Sequence, residues 1–155
     1  MRRIFTDASV LIAGAGSRQG ASRAVLKMAE IGLFKLLVSR QILDECDRNL
    51  RKKLHAAWPI FVELLATIVP EILPDPSPEE SAQWETIIEA KDAPILAAAV
   101  LANADRLLTL NTKDFTPEVA MRSGLIVQTP GLFIQEIRKI VEQGLQKKPH
   151  DMGKG

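Results

Sequence analysis

The stretch that most limits what this chain can fold into is Arg3-Ile-Phe-Thr-Asp-Ala-Ser-Val-Leu-Ile12. An apolar run arrives at one acid, Asp7. A small hydroxyl residue, Ser9, follows, and then a second apolar run. A strand that ends near Asp7 and turns directly into a helix places that carboxylate at the carboxyl edge of a sheet. In open α/β sheets that edge is where ligands bind.

The periodicity downstream supports such a sheet. Strands are predicted at Arg3–Thr6, Lys35–Val38, Arg106–Leu110 and Leu125–Gln128, with a brief one at Ile72–Leu73. Between them, helical spacing predicts a short apolar helix over Val10–Ala13 that ends at Gly14-Ala-Gly16-Ser17, then helices over Ala21–Ile31, Gln41–Leu54 and Ala56–Val69. Further helices are predicted over Glu79–Glu89, Asp92–Ala104, Pro117–Ser123 and Leu132–Gly144. Ser39 and Asp92 stand where N-caps belong, and Pro59 and Pro94 suit first turns. The prolines of Pro74-Asp-Pro-Ser-Pro78 mark a loop. Strands alternating with helices imply an α/β three-layer sandwich, with a mainly parallel central sheet of four or five strands flanked by helices. The expected organisation is one domain over residues 1–145 and a polar tail over 146–155.

In a parallel sheet, the loop after each strand and the first turns of the next helix share one edge. Asp7, Glu45, Asp92 and Asp114, with Asn111 beside the last, all map to it. Several carboxylates in one place repel, and a cation removes that cost. Oxygen-only donors favour a hard ion, Mg²⁺ or Mn²⁺. His55 and His150 lie far apart and Cys46 stands alone, so zinc has no ligand set. A hydrated Mg²⁺ on such a site suits in-line displacement at phosphorus, that is, phosphodiester hydrolysis. Each acid also has a plainer role: Asp7 and Asp92 as helix caps, Glu45 as a solvated flank, Asp114 in an Asx-type turn. Only the four together favour the metal.

Composition narrows the partners. A net charge of +1 gives no global attraction to polyanions, so any nucleic-acid contact must be local. The single cysteine fits a reducing compartment. No apolar run approaches the roughly 18 residues of a membrane span, and the amino terminus lacks a signal-like apolar region. A cytoplasmic location is expected.

The pieces Phe5-Thr-Asp7-Ala-Ser9-Val-Leu-Ile, Leu37-Val-Ser39-Arg-Gln-Ile-Leu-Asp-Glu45, Lys91-Asp92-Ala-Pro-Ile-Leu-Ala-Ala-Ala99 and Ala104-Asp-Arg-Leu-Leu-Thr109-Leu-Asn111-Thr-Lys-Asp114-Phe115 resemble, in order and spacing, the PIN-domain ribonucleases. The likeness is greatest to toxin components of VapBC-type toxin–antitoxin pairs, and extends to Ile126-Val-Gln-Thr-Pro130-Gly-Leu-Phe133. It implies a metal-dependent endoribonuclease acting on RNA, commonly a homodimer, restrained by a small antitoxin protein. Asp7, Glu45 and Asp92 match the family's three regular acids. Thr109 matches a hydroxyl residue that supports the first. Either Asn111 or Asp114 fills the fourth position. Ser9 stands where asparagine is common.

Other features compete with plainer readings. Arg48, Arg51, Lys52 and Lys53 form a basic run near Glu45, either a solvated face or a phosphate track. Gly14-Ala-Gly16-Ser-Arg-Gln-Gly20 has the wrong spacing for a dinucleotide fingerprint and is expected to be a flexible loop. Trp58, Phe61, Leu64 and Leu65 suit a core face or a dimer contact.

Overall fold

A computed structural model describes the backbone of residues 1–153 and the side chains of residues 1–146. Its centre is a five-stranded sheet of β1 (Arg3–Thr6), β2 (Lys35–Ser39), β3 (Glu71–Leu73), β4 (Arg106–Leu108) and β5 (Val127–Gln128), in the order β3-β2-β1-β4-β5. All four pairings are parallel. The inner strands read as continuous apolar runs because both faces are covered: Ile4, Phe5, Leu36, Leu37, Val38, Leu107 and Leu108 are all buried. Ile4 sits level with Leu36 on one side and Arg106 on the other, and Thr6 with Leu108. This register brings β1, β2 and β4 to a common carboxyl edge.

The first helix, α1 (Ala8–Gly16), starts on the residue after Asp7, whose side chain accepts from the Val10 N–H. It continues through Gly14 and Gly16, beyond the expected end at Ala13. Gly14 has a packing reason. A Cβ there would stand 2.5 Å from Leu26 Cδ1, a side chain buried in α2 (Ala21–Glu30). The expected glycine-rich loop therefore shrinks to residues 17–20, where Gly20 adopts φ +119.

Ser39 caps α3 (Arg40–Lys53), which buries Ile42, Cys46 and Leu50. A 3-10 turn, His55–Ala57, leads into α4 (Trp58–Ile68). The helix expected over Glu79–Glu89 is confined to α5 (Pro78–Ala82). Ser77 and Glu80 close a capping box at its start. Tight turns then follow, with the Trp84 N–H on Ser81 O and the Ile87 N–H on Trp84 O. They turn Trp84, Ile87 and Ile88 towards the core.

The alanine-rich α6 (Ala93–Leu101) buries Ala93, Ile95, Leu96, Ala97, Ala98 and Ala99 and leaves Leu101 at its end exposed. Beyond it lie α7 (Pro117–Ser123) and α8 (Pro130–Gly153). Phe133 anchors α8 edge-on against Phe34, with ring centroids 5.6 Å apart. The expected tail begins inside α8; the side chains from Lys147 onward, and residues 154–155, lie outside the described residues. Among the described residues, no helix is long and apolar enough to cross a membrane.

Gly14→Val should force α1 and α2 apart and lower stability by about 1–3 kcal/mol, the usual cost of overpacking. Chemical denaturation measures this, and an unchanged midpoint would show that Leu26 yields freely.

Candidate functional site

Asp7 follows the central strand and is only 5% exposed. Its backbone N–H donates to Leu108 O at 3.2 Å, which fixes the carboxylate against the end of β4. Ser9 Oγ donates to one carboxylate oxygen at 2.5 Å, and Thr109 Oγ1 donates to the other. The hydroxyl orientations follow from their second bonds. Ser9 Oγ accepts from the Leu110 N–H at 3.0 Å, and Thr109 Oγ1 from the Asn111 N–H at 2.9 Å. Each oxygen takes a backbone proton and directs its own at Asp7. Burial pushes the Asp7 carboxyl up, and the Ser9 and Thr109 hydroxyls pull it back.

Asp92 occupies the N-cap position of α6 but does not cap it. Its backbone is helical, φ −99 and ψ −16, and its side chain makes no cap bond. This corrects the expected cap: with the backbone already helical, the carboxyl is not turned onto the first N–H groups. The residue is 8% exposed, and its Oδ2 is buried with no hydrogen-bond partner. Burial first, then the charge of Asp114 within hydrogen-bond reach, raise the Asp92 carboxyl to about 6. Asp114 moves the other way, held low first by Asn111. The amide of Asn111 donates to Asp114 Oδ2 at 2.9 Å and accepts from the Asp114 N–H at 3.3 Å. Of this pair, Asp114 faces Asp92 while Asn111 holds it there.

Glu45 lies half-buried on α3. Burial, then the charges of Glu45 and Asp7, push the neighbouring Cys46 thiol up, so this residue is a neutral, packed thiol. The four acids do not form one cluster. Among the described residues, no three of His, Cys, Asp and Glu stand as a ready metal-ligating group. Of the four, Asp92 and Asp114 interact directly, while Asp7 is engaged by Ser9, Thr109 and Val10. That pair still fits a hard cation: its donors are carboxylate oxygens, and one of them is buried without a partner. Mg²⁺ typically takes one or two carboxylates and keeps several waters, with substrate phosphates completing its shell.

The basic run divides. Arg48, Lys52 and Lys53 are exposed. Arg51 is exposed too, but it is paired with its neighbours. Its Nε meets Asp47 at 3.1 Å, its guanidinium lies 4.4 Å above the Trp58 ring, and Trp58 Nε1 donates to the same Asp47 oxygen at 2.7 Å. The i,i+4 spacing of Asp47 and Arg51 was visible in the sequence. The contribution of Trp58, across the turn into α4, was not.

Two outcomes follow. Thr109→Val removes a buried hydrogen bond to a charged group and should cost about 1.5–3 kcal/mol in denaturant unfolding; a smaller loss would mean that water replaces the hydroxyl. Asp92, with its folded-state value raised, binds its proton more tightly when folded. Its contribution to stability is complete at low pH and lost as pH rises through about 6. In metal-free buffer, wild-type melting temperature should therefore fall across that range relative to Asp92→Asn. Parallel profiles would contradict the assignment.

The PIN-domain profile matches residues 3–113. No curated protein matches the chain. Among solved structures, PAE2754 from Pyrobaculum aerophilum has a TM-score of 0.60 at 17% identity, over 86% of this chain and 88% of its own. VapBC2 from Rickettsia felis, solved bound to a DNA fragment from their promoter, also has a TM-score of 0.60, at 18% identity over 82% of this chain and 98% of its own. At these identities the likeness is one of fold. The profile runs from β1 through Asp7, Glu45, Asp92 and Thr109 to the loop after β4, and on that match the chain belongs to the PIN-domain family.

Proposed function

We propose that this protein is a divalent-metal-dependent endoribonuclease that hydrolyses RNA phosphodiester bonds, and that it is the toxin component of a toxin–antitoxin pair. The observation that carries the proposal is Asp92 at the carboxyl edge of the sheet, its Oδ2 buried without a partner and its carboxyl raised by the nearby charge of Asp114. A buried carboxyl oxygen without a partner is costly unless it serves a ligand. Membership of the PIN family supports nuclease chemistry, and the fold shared with VapBC2 supports the toxin reading.

Asp92 and Asp114 are the residues to hold Mg²⁺ or Mn²⁺, with Asp7 and Glu45 reached directly or through water. When bound, the ion activates water and neutralises charge at phosphorus. The remaining work falls to the chain itself. Ser9 and Thr109 favour the charged form of the Asp7 carboxyl against its burial and fix its orientation. Asn111 keeps Asp114 against Asp92. Glu45, half-exposed on α3, accepts the proton of the attacking water. The raised Asp92 carboxyl makes loading of the site a competition between proton and metal. The protein acts as a homodimer and is restrained by a small antitoxin protein.

A second reading has one observation in its favour. Without three acids already gathered, the chain could serve as a catalytically weak PIN module that binds RNA or a protein partner. Mn²⁺ calorimetry and RNA cleavage separate the two. Asp7→Asn and Asp92→Asn should abolish cleavage while remaining folded by circular dichroism, Asp7→Asn at a lowered melting temperature because its amide cannot accept from both Ser9 and Thr109, and Glu45→Gln should lower cleavage by about 10²–10⁴-fold, the range for a lost general base. Mn²⁺ binding should be lost in Asp92→Asn. Full cleavage by either folded asparagine variant would refute the mechanism. A folded wild type that neither binds Mn²⁺ nor cleaves RNA would favour the second reading.

A further inference from the structure

The last helix outruns the sheet it packs on. Arg106 is the first residue of β4, and its guanidinium meets Glu136 of α8 at 2.8 Å. The charge of Arg2, just ahead of β1, also acts on Glu136. Glu136 is therefore level with the amino edge of the sheet, opposite the edge that carries the acids. Residues 138–146 follow, and every one is exposed. At 1.5 Å per residue this stretch projects about 13 Å from the domain.

Its sequence is nonetheless patterned for burial. With Ile137 at zero and about 100° per residue, Ile140, Val141, Gly144 and Leu145 stand at about −60°, 40°, −20° and 80° around the axis. Together with Ile137 they make an apolar stripe about 140° wide, the width of a stripe that faces a core. Lys139, Gln143 and Gln146 fill the opposite side. Ile137 packs against the core, but Ile140, Val141 and Leu145 are 47%, 53% and 63% exposed. Gly144 sits at the middle of the stripe, with nothing within 4 Å of where a Cβ would stand. Glycine weakens a helix interior but permits close approach of another backbone. A short helix without tertiary packing is marginal in water, so the stripe calls for a partner.

The charges beside the stripe select a second copy of this chain. Arg138 and Glu142 stand at about 100° and 140°, on one flank. Arg ahead of Glu is the weaker order for a pair within one helix, and neither is in a salt bridge among the described residues. Two copies of the helix related by a two-fold axis at Val141 run antiparallel, and equal flanks meet. Ile137 then lies level with Leu145 of the second copy. Arg138 comes within about 3 Å, measured along the axis, of Glu142 of the second copy. The symmetry makes each contact twice, as in any isologous interface. A helix pair alone is smaller than the roughly 800 Å² a side of a standard interface. Met1, Ile31 and Leu33 enlarge the patch. All three are exposed, and they precede β1 and β2 at the amino edge toward which the second helix points.

We infer that two copies of this chain associate through α8, packed antiparallel about Val141 at the end of the domain opposite the acids. The inference rests on the homodimer reading for the partner and names its surface. Both acid sites stay open in such a dimer.

Analytical ultracentrifugation of the full chain tests it. The wild type should be a dimer at micromolar concentration. Val141→Lys keeps a good helix former but sets two like charges on the axis, and should be monomeric. Gln143→Lys adds the same charge on the polar side and should remain a dimer. Arg138→Glu and Glu142→Arg should each weaken the dimer about tenfold, since two exposed pairs become repulsive. Mixed in equal amounts, these two variants should regain wild-type affinity, because opposite charges then meet across the two chains. An effect within one helix has no such rescue. A monomeric wild type overturns the inference and the homodimer reading together. A dimer that withstands Val141→Lys removes α8 as its surface and keeps the homodimer. Equal dissociation by Gln143→Lys removes the stripe, and a mixture that does not recover removes the antiparallel pairing.

Discussion

The buried charge of Asp7 is the constraint on which the rest of the edge depends. A carboxylate 5% exposed at the end of a central strand cannot remain charged unless donors replace the water it has lost. Three donors do so: the Ser9 hydroxyl, the Thr109 hydroxyl and the Val10 N–H. Each ties a different piece of structure. Val10 starts α1 directly from the strand. Thr109 binds β1 to the residue that follows β4. Ser9 reaches the same loop through the Leu110 N–H. The strand pairing and the loop beyond it are thus held in register by one acid.

Asp92 is treated in the opposite way. Its helix is rich in alanine, and Ala93, Ala97, Ala98 and Ala99 are all buried. Small side chains let α6 sit deep against the sheet. The first residue of such a helix would ordinarily satisfy its own N–H groups with a capping side chain. Here the cap is forgone and one carboxyl oxygen is left without a partner. Departures from the best local arrangement are expected where a site has to do something other than fold.

The contrast explains what was legible in the sequence. The sheet, its parallel sense and the strand-to-helix turn at Asp7 could be read because apolar runs, caps and chain order are local signals. The topology then assigned the four acids to one edge. Which acids would touch could not be read, because that depends on where side chains find partners across the fold. Asp7 turned to Thr109, over a hundred residues away in the chain, and Asn111 turned to Asp114. The Glu79–Glu89 segment misled for a related reason. Its charges suit a helix, but Trp84, Ile87 and Ile88 had to reach the core, and tight turns do that after the capping box at Ser77. Arg51 likewise read as a free cation, because its stacking on the Trp58 ring is a contact across the turn into α4.

The edge therefore consists of two unlike halves. Around Asp7 both carboxylate oxygens are engaged by the protein, which offsets part of the rise that burial imposes on its carboxyl. Around Asp92 two carboxyls face each other, and the repulsion is relieved by a proton on Asp92 only below about pH 6. Only the second half gains much from a cation, since a cation would replace that proton and supply the partner Oδ2 lacks. Asn111 matters to this balance. A third acid at that position would add repulsion and would not donate to Asp114, whereas the amide steadies Asp114 at no cost in charge. The result is a site with a carboxylate tied into the protein at the centre of the sheet and, beside it, a carboxyl pair whose charge changes with pH.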